Sequence, residues 1–96
     1  MGGNNKSNSI VAVQEIKNRL GLHARPAAMF VQKASNFKSE ILVEKDGDVV
    51  NGKSLMGLLM LAAGCGSTIK ITITGEDAQD ALAEISKLLE NKFDEE

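Results

Sequence analysis

The sequence predicts an α+β open-faced β-sandwich: a four-stranded antiparallel sheet covered on one face by three helices, in the order β-α-β-β-α-β-α. Three observations carry this. Ile69, Ile71 and Ile73 alternate with Thr68, Lys70, Thr72 and Thr74, giving a strand with one apolar face. Ala78, Ala81, Leu82, Ile85, Leu88 and Leu89 recur at helical spacing and form a wide apolar stripe. A sheet that is apolar on one face needs a cover, and alternating strands suit antiparallel pairing with helices on one side.

The elements follow in chain order. "SIVAVQEIK" near the start is rich in β-branched residues and predicts the first strand, although its alternation is muddled. After Pro26, Ala27, Phe30, Val31 and Ala34 share one stripe of a first helix. "SEILVEKDG" is a second strand, with Ile41 and Val43 on one face and Glu40, Leu42 and Glu44 on the other. Asp46-Gly47 makes a tight turn into a short third strand around Asp48–Val50. "SLMGLLMLA" predicts a short second helix with Ser54 as its N-cap. The fourth strand is "STIKITIT", and the last helix is expected from about Asp77 to Phe93, with acids in its first turn that suit the helix dipole.

Ninety-six residues, 43% of them hydrophobic, make one domain with a single modest core. We place that domain at residues 9–93, behind a flexible polar tail at 1–8. The lone Cys65 excludes an internal disulfide framework, and one Cys with one His cannot supply a four-ligand zinc site. Between glycines, and without a basic neighbour to activate it, Cys65 is expected to be a loop residue of no catalytic importance. The opening "MGGNNKSN" lacks the apolar segment of an export signal, and Lys6 breaks the myristoylation pattern that Gly2 would start. The run Leu55–Ala63 is far shorter than the ~20 residues a membrane span needs. A cytoplasmic, membrane-free protein is expected.

The net charge of −2 is unevenly placed. Lys17, Arg19, Arg25, Lys33 and Lys38 lie in a segment, 16–39, that has no acid, whereas 76–96 carries eight acids against Lys87 and Lys92. Three Phe, no Tyr and no Trp give no stacking platform for single-stranded nucleic acid. A small anion or an acidic protein partner suits the basic segment better.

The only histidine and the only proline stand together in "GLHARPAA". Proline is tolerated in a helix's first turn, where its missing N–H would have had no partner, so Pro26 places the helix start within a residue or two of His23. The free N–H groups of that turn, assigned to Ala24, Arg25 and Ala27, then join the Arg25 side chain in a site suited to an anion. The positive end of the helix favours a neutral imidazole, able to act as a nucleophile or base. The competing reading makes His23 a cap or a packing residue at the helix edge.

"GLHARPAAMF", with "NGKSLMG" further along, closely resembles the phosphocarrier family HPr of the phosphoenolpyruvate-dependent sugar phosphotransferase system. The likeness runs roughly from Val11 to Leu89. It implies that His23 accepts a phosphoryl group on Nδ1 from phospho-Enzyme I and passes it to a histidine of a sugar-specific Enzyme IIA, with Arg25 on the phosphoryl oxygens. It implies no bound cofactor, since Mg²⁺ and phosphoenolpyruvate belong to Enzyme I, and a carrier rather than an enzyme. It makes Ser54 a target of an HPr kinase/phosphorylase, and makes Leu55 and Met56, with Arg25, a docking surface for Enzyme I and for a catabolite-control transcription factor. Gly57 leans toward the kinase-regulated branch, and Leu20 departs from the small polar residue that some members place there. A monomer is expected. The alternatives are a paralogous carrier and a regulatory interaction module that does not serve sugar uptake.

Overall fold

The computed structural model describes residues 9–95; the tail predicted at 1–8 lies outside them. In order, it contains β1 (Ser9–Glu15), α1 (Ala24–Ala34), β2 (Glu40–Lys45), β3 (Asp48–Asn51), α2 (Leu55–Met60), β4 (Thr68–Thr74) and α3 (Ala78–Glu90), then a short turn at Lys92–Asp94. The strands form one antiparallel sheet in the order β1-β4-β2-β3. β4 lies between β1 and β2 because its isoleucines pair with both: Ile71 stands opposite Ala12 on one side and Val43 on the other.

The period-2 pattern decides which side is covered. Ile69, Ile71 and Ile73 from β4 and Ile41 and Val43 from β2 are fully buried beneath the helices. Phe30, Ala27 and Ala34 of α1 and Ala81, Ile85 and Leu89 of α3 close over them. The muddled alternation of β1 resolves on the opposite face, where Val11 and Val13 are exposed. Asp46 and Gly47 both take positive φ, as a two-residue hairpin turn requires.

One boundary needs correction. The last helix ends at Glu90, not near Phe93. Lys92, Phe93 and Asp94 instead turn through left-handed backbone, with φ of 55°, 54° and 61°. Burial of Phe93, which is fully inaccessible, holds that turn against a conformation side chains disfavour by ~1–2 kcal/mol per residue. The turn reverses the chain and brings residue 95 back over the start of α1.

Candidate functional site

His23 is the N-cap residue of α1, with extended backbone, and its side chain makes no capping hydrogen bond. Pro26 stands in the first turn, so the helix begins where the sequence placed it. The Ala27 N–H does not face an anion: it donates to the His23 carbonyl at 2.9 Å and closes the first helical turn. The first-turn N–H groups without an intrahelical acceptor are therefore those of Ala24 and Arg25, and Ala27 leaves the predicted set. The Arg25 guanidinium is mostly exposed and can swing toward an incoming anion.

The loop before His23 is held from two sides. Gly21, at φ +73°, turns the chain, and the Leu22 N–H donates to the Ala63 carbonyl beyond α2 at 2.8 Å. This stations the imidazole beside a shallow depression lined by Leu20, Leu22, Leu59 and Ala63. Leu20 points outward and is 69% exposed.

The structure adds a residue that the sequence reading missed. The Glu95 carboxylate lies 3.1 Å (Oε2) and 3.4 Å (Oε1) from His23 Nε2. It also accepts from Asn18 Nδ2 at 3.0 Å and stands 3.9 Å from an Arg25 Nη1. Burial pushes the Glu95 carboxyl up, but the hydrogen bonds from Asn18 and His23 and the positive charge of Arg25 carry it below its usual range. Asn18 is itself fully buried, and its amide spans Glu95 and the Gly21 carbonyl, 2.6 Å away. No spacing rule links residues 72 or 77 positions apart, and an acid directly after a glycine-less turn carries no signal of its own.

At the second motif, Ser54 is the N-cap of α2, and its Oγ accepts from the Gly57 N–H at 3.0 Å. A Cβ on residue 57 would lie 3.1 Å from the Val50 Cβ and 3.3 Å from that hydroxyl, so Gly57 keeps the cap uncrowded. Leu55, Met56 and Met60 are exposed around it. Phe30 and Phe93 are core residues. Cys65 is an exposed free thiol in the loop before β4. No helix among the described residues is long and apolar enough to cross a membrane.

Comparison with known proteins gives the family. The family model "PTS HPr component phosphorylation site" matches residues 12–91. The chain belongs to the HPr phosphocarrier family. It is 47% identical to the phosphocarrier protein HPr of Treponema pallidum (strain Nichols), over 91% of this chain and 99% of that one. It is 51% identical to the HPr-like protein Crh of Halalkalibacterium halodurans, over 81% and 93% of the two chains. The crystal structure of HPr-C-His from Thermoanaerobacter tengcongensis superposes with a TM-score of 0.88 at 48% identity, covering 91% of this chain and 98% of that one. An HPr dimer from the same organism superposes with a TM-score of 0.72 at 51% identity, over 82% and 91%.

Proposed function

We propose that this HPr-family protein is a phosphoryl carrier that phospho-Enzyme I loads on His23 Nδ1 and that discharges to a histidine of a sugar-specific Enzyme IIA in the cytoplasm. The observation that carries this reading is the state of the histidine: His23 sits at the mouth of α1 without capping it. A histidine kept only as a cap would spend a ring nitrogen on the helix, whereas this ring leaves the Ala24 and Arg25 N–H groups for another acceptor. Those two groups, the helix dipole and the exposed Arg25 side chain suit a phosphoryl group's oxygens.

Incubation with phosphoenolpyruvate, Mg²⁺ and a heterologous Enzyme I, followed by intact mass at neutral pH and after acid, tests the reading. The expected result is one added phosphoryl group that acid removes and that His23→Ala never gains. No added mass with an Enzyme I shown to be active would overturn it.

Ser54 gives the carrier a second input. Its hydroxyl is half-buried at the start of α2, beside the exposed Leu55 and Met56. Phosphorylation there by an HPr kinase/phosphorylase adds up to two charges next to an apolar surface. That would weaken docking of Enzyme I and create a face for a catabolite-control transcription factor. The likeness to Crh favours a purely regulatory role as the runner-up. Such a module would gain only an acid-stable phosphate on Ser54. Acting as a monomer completes the proposal, and the HPr dimer noted above makes sedimentation its direct check.

A further inference from the structure

We infer that Glu95 is a positioning residue for phosphoryl transfer: it holds the His23 ring by Nε2 and so presents Nδ1 as the nucleophile. The inference rests on the carrier reading for its chemistry, but its geometry stands by itself. A carboxylate can only accept hydrogen bonds, so at 3.1 Å from Nε2 it requires the proton on that nitrogen. The neutral ring then carries its lone pair on Nδ1. Ring nitrogens are otherwise free to exchange the proton between them, and a fixed acceptor settles the tautomer.

The carboxylate is itself held. The buried Asn18 amide grips Oε1 with one N–H and the Gly21 carbonyl with the other, and its Oδ1 has no partner among the described residues. The fully buried Phe93 anchors the left-handed turn that delivers residue 95. Glu95 keeps only 15% of its side chain exposed, against 36% for His23 and 65% for Arg25, so the acid is the best fixed of the three. A spare solvated acid would need none of this support.

The same contact serves both directions of transfer. On discharge, the P–Nδ1 bond breaks and its electron pair stays on Nδ1, while an imidazole nitrogen of the acceptor protein forms the new bond to phosphorus. The His23 ring passes from an N-phosphorylated imidazolium to a neutral imidazole and keeps its Nε2–H throughout. The positive charge moves to the acceptor ring, and no proton need be exchanged. Loading is the reverse, with an N-phosphorylated imidazolium as donor and the neutral His23 ring as acceptor. In both, Glu95 faces the nitrogen whose proton must not leave, and it offsets the ring's charge while the phosphoryl group is attached.

Glu95→Ala, Glu95→Gln and the unaltered protein test this by ¹H–¹⁵N NMR of the unphosphorylated ring and by the initial rate of phosphoryl loading. The expected result in the unaltered protein is a protected Nε2–H with a bare Nδ1. Glu95→Ala loses that protection and loads at least about tenfold more slowly, the least that loss of a charge-assisted hydrogen bond brings. Glu95→Gln, whose amide oxygen still accepts, keeps the Nε2–H signature and recovers part of the rate. An unchanged ring signature in Glu95→Ala would overturn the inference, and so would faster loading, which would make the carboxylate an obstacle. The NMR signature needs no phosphoryl donor, so a protein that fails to load would refute the carrier reading and leave the Glu95–His23 coupling to be judged separately.

Discussion

Replacing Gly21 by alanine puts the geometry of the histidine loop under the most direct strain. Gly21 has φ +73°, which a side chain disfavours by ~1–2 kcal/mol. A Cβ there would also lie 2.5 Å from the Ala63 carbonyl oxygen and 2.7 Å from the Gly64 Cα. Both are backbone atoms, and the Ala63 oxygen is already engaged by the Leu22 N–H, so neither can step aside cheaply. Overpacking of this kind adds ~1–3 kcal/mol, for a total of about 2–5 kcal/mol. In a domain this size each kcal/mol moves the melting temperature by ~4–8 °C, so the expected drop is at least about 8 °C. Gly47→Ala is the matched control: its φ is +88°, but nothing lies within 4 Å of the added Cβ. Thermal unfolding of both by circular dichroism separates the conformational part from the steric part. Gly21→Ala should melt at least about 4 °C below Gly47→Ala, the excess being the steric part alone. Equal melting temperatures would refute the claim that the Gly21 and Ala63 backbones are in obligatory contact.

Three further outcomes are expected. His23→Ala should abolish phosphoryl loading while keeping the far-UV spectrum, because the imidazole supports neither a cap nor the core; an unfolded spectrum would make His23 a structural residue after all. Ser54→Ala should lose the Gly57 N–H contact and cost about 1 kcal/mol in denaturant unfolding, with Ser54→Gly costing less. Asp77 accepts from the Ser39 hydroxyl and from the N–H groups of Lys38 (2.9 Å) and Ser39 (3.0 Å), which hold its carboxyl below the usual range. Its folded-state pKa is thus the lower one, so its contribution is present above about pH 4 and is lost as the pH falls through the folded value. The melting temperature of Ser39→Ala should therefore fall less steeply than that of the unaltered protein below that pH, and parallel curves would count against the assignment.

Most of the architecture was legible because its causes are local. The alternation of Ile69, Ile71 and Ile73 with threonines and lysine fixes which face of β4 is buried, whatever strand comes to lie beside it. The Asp46-Gly47 pair names its turn, and Ser54 caps the helix it precedes. Pro26 marks the start of α1 to within the first turn, so the surroundings of His23 on its own helix could be drawn in advance. Even there the reading went one N–H too far, because the hydrogen bond from Ala27 to the His23 carbonyl belongs to the helix and not to a ligand.

By itself, then, the sequence determined the element order, the buried faces, the position of the histidine at a helix mouth and the resemblance of its motif to a phosphocarrier family. Tertiary structure alone decided what stands on the histidine's other side. Three consecutive non-glycine residues in left-handed backbone run against every local preference, so a periodic reading simply extended α3 through Phe93. Burying Phe93 in the core offsets that strain, and the reversal it enforces carries Glu95 to Nε2 of a residue 72 positions earlier. Contacts of that range depend on the free energy of the whole core, which no window of the sequence contains.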